Sequence, residues 1–293
     1  MKQKLLIFGV SGLLGNIAAK NLQKKYNIIG TYYLNKPKFN KSIKLIRCNF
    51  LNKNFIKKKI FTNFQPDIIL NCAGEANVDF CETNKIYAKK LILNPTKIIS
   101  DFSNKNNIYF IHISTDSLFF NNKKKNFEKE KTITLNYYSK LKLESEKYLI
   151  KNNRNFLIIR TRFFGKNISK KKCFAEEVID KLKNNKTIEC YKNVFNTNIS
   201  CENLIDIIDE CIEKKITGIF NIVGDKSYSK YNFARKIASS MNLNKKLIKK
   251  KIFTNKNRLI KKPFNTSLSN KKIKMKIKTP ILDLERSINQ TFK

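Results

Sequence analysis

The chain has no tryptophan, a single histidine, five prolines and eight glycines in 293 residues. One histidine, His112, and seven cysteines without a C-x-x-C pair leave no ligand set of zinc-site spacing, so no metal is expected. Seven is also an odd number, which argues against a disulfide framework and for reduced thiols in a cytoplasmic protein. No apolar run is long enough to span a bilayer, so membrane insertion is not expected. The opening Met-Lys-Gln-Lys and the apolar residues behind it have the outline of a secretion signal. Gly9, Gly12 and Gly15 interrupt that run, and the segment is read instead as the first strand of the fold.

Acidic residues are scarce too, 22 against 61 Lys+Arg, giving a formal net charge of +39. Arginine contributes little of this: Arg47, Arg154, Arg160, Arg162, Arg235, Arg258 and Arg286 are all there is. A nucleic-acid reader uses the guanidinium fork for bidentate base and phosphate contacts. Here the lysines are scattered, and no helix-turn-helix, finger or RNP pattern accompanies them. The charge is read as compositional, with Lys and Asn covering the solvated surface, and no nucleic-acid partner is expected. It would still attract anionic ligands and make their binding salt-sensitive.

With glycine so rare, its placement is informative. Gly9-Val-Ser-Gly12-Leu-Leu-Gly15 directly follows the apolar run Leu5-Leu6-Ile7-Phe8. A strand entering a G-x-x-G-x-x-G turn and then a helix is a cradle for a dinucleotide pyrophosphate, with Gly9, Ser11, Gly12, Leu13, Leu14 and Gly15 as the contacts. Far downstream, Tyr138 precedes Lys142 by four residues, which puts both on one helix face, where the ammonium would lower the phenol below its usual value of about 10. The competing Tyr137 has Leu141 at the same offset.

Strands at 4–8, 27–33, 43–48, 66–73, 108–114 and 156–161 alternate with helices at 13–26, 54–64, 84–103 and 138–151. That alternation implies an α/β fold, a doubly wound parallel sheet of the NAD(P)-binding Rossmann type. Pro95 is expected to kink or divide the helix at 84–103. Ligands then bind at the strands' carboxyl ends, near Gly9, residues 71–74, 114–116 and 160–161. After Gly165 the alternation weakens to helices at 174–184, 202–214 and 230–241, a strand at 218–223 and a lysine-rich stretch to the C-terminus. The expected division is a dinucleotide-binding domain over 1–165 and a smaller, mainly substrate-binding part over 166–293, with 218–224 returning to the first. Lys/Asn runs such as 121–126 read as exposed loops.

An NAD site places a carboxylate at the end of the second strand, where it holds the ribose 2′-hydroxyl. The first acidic residue here is Asp67, and the second strand ends Thr31-Tyr32-Tyr33 with Lys36 and Lys38 beyond. A 2′-phosphate is the better match, so NADPH is favoured over NADH, with Tyr32 and Lys36 on that side. Asn71, Ala73 and Gly74 are expected to line the cofactor at the end of the fourth strand.

Taken together, these motifs resemble the extended short-chain dehydrogenase/reductases, and among them the dTDP-4-dehydrorhamnose reductase group of nucleotide-sugar reductases. The resemblance runs end to end: the glycine turn, Asn71-Cys-Ala-Gly74, Asn77-Val-Asp-Phe-Cys-Glu82, Ile113-Ser-Thr-Asp-Ser-Leu-Phe119, Asn136-Tyr-Tyr138-Ser-Lys-Leu-Lys142, Arg160-Thr161 leading to Gly165, Gly218-Ile-Phe-Asn221-Ile-Val-Gly224, and Lys262-Pro263-x-Asn265-x-x-Leu268. It implies that Tyr138 protonates the substrate carbonyl oxygen, that Lys142 holds the nicotinamide ribose, and that Thr115 hydrogen-bonds the same oxygen, with Ser114 the alternate hydroxyl. On the substrate side it points to Asn77, Ser114, Asp116, Arg160 and Lys262, and more weakly to Asn198. Each has a plainer role beside it: a helix cap for Asn77, Asp79 and Glu82, an internal ion pair for Arg160, a turn for Asn265. Ser117 replaces the group's aromatic and Lys262 its arginine, which bears on the sugar rather than the chemistry.

The activity so implied is NADPH-dependent reduction of a nucleotide-linked 4-keto-6-deoxy sugar for surface polysaccharide, by a monomer or homodimer. Two alternatives stand beside it: an epimerase or dehydratase of the same superfamily, and a non-catalytic NADP-binding regulatory subunit. Against a dehydratase, Asp116 is the lone acid beside Thr115, where that chemistry asks for an Asp-Glu pair.

Overall fold

A computed structural model describes residues 2–39, 42–52, 56–61, 64–120, 125–167, 172–256 and 259–293. The first half alternates strand and helix: β1 Lys4–Phe8, α1 Leu13–Leu22, β2 Asn27–Tyr32, β3 Lys44–Arg47, a short helical segment α2 Ile56–Phe61, and β4 Ile68–Asn71. Then come α3 Val78–Thr83, α4 Lys85–Lys105, β5 Tyr109–Ile113, α5 Tyr137–Asn152 and β6 Phe156–Arg160. The remainder holds β7 Phe163–Phe164, α6 Phe174–Lys183, β8 Ile188–Tyr191, β9 Phe195–Asn196, β10 Ile199–Ser200 and α7 Cys201–Glu213. It ends with β11 Gly218–Asn221, β12 Tyr228–Ser229, α8 Lys230–Ser240, β13 Ile248–Lys251, α9 Lys271–Lys274 and α10 Leu284–Phe292. Of the expected helix at 54–64, residues 54–55 and 62–63 lie outside the described residues, as do 121–124 of the expected loop at 121–126.

Seven strands share one sheet in the order β11-β6-β5-β4-β1-β2-β3, and β1 to β6 pair in parallel. The chain winds outward from β1 in one direction, then returns to β4 and winds the other way, which is the doubly wound order. In register Phe8 faces both Thr31 and Asn71, so β1, β2 and β4 end level with one another. β4 and β5 are buried along their whole length, as a parallel sheet covered on both faces requires. Leu6, Phe8, Ile69, Phe110 and Ile158 from the strands pack with Ile99 of α4 and Leu149 of α5.

Pro95 does not divide the helix: α4 runs through it without a break. Proline in a helix interior costs about 3 kcal/mol in lost hydrogen bonding and ring clash. Burial offsets that here, since Ile92 and Leu93 on the same helix pack with Ala88, Cys81 and Leu141. The discontinuity falls earlier, at Asn84, which ends α3 and precedes α4.

The chain forms two compact units, neither continuous in sequence. The first comprises Met1–Ser114, Asn136–Ile159 and Ile212–Ile219, and the second Thr115–Leu135, Arg160–Cys211 and Phe220–Lys293. Within the second, three strand pairs form: β7 with β10, β8 with β13, and β9 with β12. Its core gathers Phe164, Val178, Leu182, Phe233, Ile237 and Ile288. The lysine-rich C-terminal stretch is more ordered than its composition suggests. α10 is capped by Asp283, whose carboxylate accepts the Arg286 N–H, and it turns Leu284 and Ile288 into that core, with Phe292 packed against it. Among the described residues, no helix is long and apolar enough to cross a membrane.

Candidate functional site

The glycine turn has a steric reason for each of its outer positions. Gly9 leaves β1 with φ of +86°, and a Cβ there would meet the Ala73 Cα at 2.9 Å. A Cβ on Gly15 would lie 2.3 Å from the Gly9 carbonyl oxygen. The turn therefore closes against its own helix and against the end of β4. α1 has Gly12 at its N-cap, with no side-chain cap and no acidic residue in its first turn, which leaves its N-terminal N–H groups for an anion.

A cavity of about 250 Å³ opens at the level ends of β1, β2 and β4. Of the expected cofactor residues, Gly9, Ser11, Gly12, Tyr32, Ala73 and Gly74 line it. Leu13, Leu14, Gly15, Lys36, Asn71, Tyr138 and Lys142 do not. Leu14 is in the core at 3% exposure, Lys36 is exposed beyond β2, and Asn71 is occupied beneath the wall. Thr31, Tyr33, Asn49 and Phe50 also line the cavity, and sequence reading did not select them. Arg47 was missed as well: it pairs in register with Tyr32, and its Nε donates to the Tyr33 carbonyl at 3.3 Å. No carboxylate stands at the end of β2, and the wall's only acid, Glu75, follows β4.

α5 starts where it does because Asn136 and Ser139 cap it reciprocally. Asn136 Oδ1 accepts the Ser139 N–H at 3.0 Å, and Ser139 Oγ faces the Asn136 N–H at 3.4 Å. Tyr137 and Tyr138 thus occupy the first turn, and the Tyr137 N–H is taken by Glu82 Oε2 at 2.8 Å. Both tyrosines are half-buried against Cys81, Ala88, Ile92, Leu93 and Leu141. The difference between them lies one turn on, where Tyr138 is followed by Lys142 and Tyr137 by Leu141, at about 5–6 Å between Cβ atoms.

Lys142 is 7% exposed, and its Nζ donates to the Ile113 carbonyl at 2.6 Å. Nζ also lies 3.1 Å from His112 Nε2, while His112 Nδ1 lies 3.3 Å from Asn71 Nδ2. Beside them Ser114 Oγ donates to Glu146 Oε1 at 2.5 Å. Burial pulls Lys142 from 10.5 down to about 8, against Glu146 and Cys72, which favour its charge. A lysine whose folded value lies below its unfolded one binds fewer protons folded than unfolded, so stability rises with pH between the two values. Wild type should therefore gain stability relative to Lys142→Met as pH rises from about 8 to 10.5, with no relative change between pH 6 and 7.5. Urea unfolding of both proteins across that range measures it.

The remaining expected residues belong to the second unit, apart from Asn77. Asn77 is the cap of α3, accepting the Asp79 and Phe80 N–H groups at 3.0 and 3.1 Å. Thr115 Oγ1 accepts the Ser117 N–H at 3.2 Å. Asp116 is 2% exposed and held by Thr266 at 2.5 Å and Arg162 at 3.4 Å, a carboxylate tied into its own unit. Arg160 donates to the Glu128 carbonyl at 3.0 Å and lies over the Phe119 ring. The Lys262 backbone is tied to the Asn255 side chain, and Asn265 makes a turn through the Ser267 N–H.

A second cavity, of about 140 Å³, lies wholly within that unit and brings together Arg162, Lys230, Asn196 and Asn198 between Phe163 and Phe174. Burial lowers Lys230 to about 8, and Arg162 and Lys262 push it the same way. Crowded cations without an acid in the wall suit an anion. Asn198 was a weak candidate from sequence; Arg162 and Lys230 were not selected. Arg162 carried a signal, two residues past Arg160 at the end of the sixth strand. Among the described residues, no group of three or more His, Cys, Asp or Glu is placed to hold a metal ion.

Comparison with known proteins gives this geometry a family context. The family model described as "RmlD substrate binding domain" matches residues 3–293. Methionine adenosyltransferase 2 subunit beta of Bos taurus is 26% identical over 252 residues, covering 82% of this chain and 73% of that protein. "Probable low-salt glycan biosynthesis reductase Agl14" of Haloferax volcanii is 22% identical, covering 89% and 88%. Among solved structures, dTDP-4-dehydrorhamnose reductase from Bacillus anthracis in complex with NADP superposes with a TM-score of 0.86 at 19% identity, covering 100% of this chain and 99% of that one.

Proposed function

The chain belongs to the RmlD substrate binding domain family, within the extended short-chain dehydrogenase/reductases, and from that premise we propose that it is an NADPH-dependent reductase of a nucleotide-linked 4-keto-6-deoxy sugar. The observation that carries the proposal is the buried Lys142 amine, fixed by the Ile113 carbonyl one helical turn beyond Tyr138. A nicotinamide dinucleotide fits the first unit because Gly9 and Gly15 leave backbone where any Cβ would intrude, at the uncapped start of α1. Bound there, it would supply the hydride. Tyr138 is the proton donor to the carbonyl oxygen, and Lys142 holds the ribose and supports the phenol's proton transfer. The cationic cavity of Arg162 and Lys230 is the second unit's candidate for a nucleotide's diphosphate. Asp116, tied as it is, is read as structural. Supply of a deoxysugar for surface polysaccharide, in the cytoplasm, is the setting this activity would serve.

The preference for NADPH rests on the missing carboxylate at the end of β2 and on Arg47 and Lys36 nearby in the chain and sheet. Arg47→Glu should raise the KM for NADPH about tenfold, equivalent to ~1.4 kcal/mol, and leave the KM for NADH unchanged or lower. Steady-state kinetics with both cofactors measures this, and an equal rise for both would remove Arg47 from 2′-phosphate recognition.

A second reading has its own support: the resemblance to methionine adenosyltransferase 2 subunit beta, by name one subunit of an enzyme, favours the alternative of a non-catalytic, NADP-binding regulatory subunit. NADPH oxidation by the purified chain with a dTDP-4-keto-6-deoxyhexose separates the readings. Net consumption supports the reductase and sets aside an epimerase or dehydratase, which recycle the bound nicotinamide. Tight NADPH binding without turnover favours the regulatory subunit, and binding of neither nucleotide overturns both.

A further inference from the structure

His112, the chain's only histidine, is 1% exposed at the penultimate position of β5, and both its ring nitrogens face protein groups. Asn71 Oδ1 accepts the Ala73 N–H at 3.2 Å, which fixes that amide so that Nδ2–H points at His112 Nδ1. An accepting Nδ1 on a neutral imidazole puts the ring proton on Nε2. That N–H points at Lys142 Nζ, 3.1 Å away. An ammonium has three donors and no acceptor, so only the uncharged amine can receive it.

When Lys142 takes a proton from solvent, the pattern must invert. The ammonium then donates to Nε2, the ring proton resides on Nδ1, and Asn71 must turn its oxygen to that proton, withdrawing it from the Ala73 N–H. One proton is gained on the lysine, and the ring stays neutral throughout. A doubly protonated ring is no way out, because burial and the neighbouring Lys142 hold the imidazole well below its ordinary value. The other titratable groups against Lys142 are Glu146, one turn further along α5, and Cys72 behind β4; both favour the charged lysine, and burial outweighs them.

We propose that His112 is a positioning residue for Lys142, the ring tautomer and the lysine's charge switching together as one two-state element with Asn71 as its third member. This rests on the reading of Lys142 as the partner of Tyr138. It gives that lysine a way to hold or release a proton within a buried network; the protonated state takes their present partners from the Ala73 N–H and from Asn71 Nδ2, and the other ring and lysine contacts are kept in both states.

Because the chain has one histidine, long-range proton–nitrogen correlation spectra of the 15N-labelled full-length protein, purified without a histidine tag, report this ring alone. In wild type the protonated nitrogen should change from Nδ1 at about pH 6.5 to Nε2 at about pH 9.5. Lys142→Met should keep the proton on Nε2 throughout, and Lys142→Arg, permanently charged, should keep it on Nδ1. If neither variant folds, Asn71→Asp, whose carboxylate only accepts, should hold the proton on Nδ1 at every pH. A wild-type tautomer invariant over this range, or a switch unchanged in the variants, overturns the coupling. The spectra need neither cofactor nor turnover: absent NADPH oxidation with an intact switch counts against the reductase alone, and turnover without a switch counts against the coupling alone.

Discussion

Tyr138→Phe is expected to lower kcat by roughly 10²–10⁴-fold, the range a positioned general acid contributes, while NADPH binding stays within about twofold of wild type. The substitution removes one oxygen from a half-buried ring that rests on Cys81, Ala88, Ile92, Leu93 and Leu141, and the ring itself keeps that packing. Folding should therefore be nearly unaffected, and the loss should appear in kcat rather than in nucleotide affinity. Tyr137→Phe is the internal control. Tyr137 packs on the same cluster, with Lys85 at 5.7 Å from its ring, but its helical neighbour is Leu141, so its kcat should stay near wild type. Equal losses in the two variants would remove Tyr138 from the acid's role.

Gly15→Ala should be the most damaging small substitution in the cofactor cradle, and the competing effects can be weighed. Alanine favours a helix interior over glycine by about 1 kcal/mol. Against this, the new Cβ would sit 2.3 Å from the Gly9 oxygen and 2.8 Å from the Gly9 carbonyl carbon, both backbone atoms without rotamers to move. Overpacking of this kind costs roughly 1–3 kcal/mol and more where nothing yields, so the clash wins. A net loss of about 2 kcal/mol is expected in denaturant unfolding, together with loss of NADPH binding as α1 is forced off the turn. Gly12→Ala supplies the contrast. Its Cβ would meet only the Gly9 oxygen, at 3.4 Å, an ordinary contact, so its stability should remain close to wild type.

Both of these sites could be read before the fold was known. The glycine turn was legible because its physics is local: strand, tight turn and helix start are neighbours in sequence, and Gly9 and Gly15 constrain one another across six residues. The Tyr138–Lys142 pair was legible for the same reason, as a helical offset. What escaped depends on neighbours distant in sequence. Arg47 comes beside Tyr32 only because β3 pairs with β2, and Lys230 joins Arg162 only through the packing of α8 and β7 within the second unit. His112 was noticed as a solitary histidine, useful for excluding zinc; that it abuts Lys142 follows from β5 and α5 packing in the first unit. That α4 is not divided at Pro95 was not legible, because the burial that offsets a cost of about 3 kcal/mol comes from tertiary packing. In α10 the apolar spacing Leu284, Ile288, Phe292 is local and legible, but what that face packs on is set by residues distant in sequence.

The interleaving of the two units bears on how the chain can be made and cut. β6, second from one edge of the seven-stranded sheet, is complete at Arg160, but β11, which pairs outside it, begins at Gly218. During synthesis, nearly sixty residues leave the ribosome while β6 presents open N–H and C=O groups, an adhesive edge for another nascent copy. A protein ended near residue 165 would keep that edge for good, and would lack Ile212–Ile219 of the first unit as well. Preparing the first unit alone thus calls for grafting the late strand back beside β6, not for choosing a better place to stop.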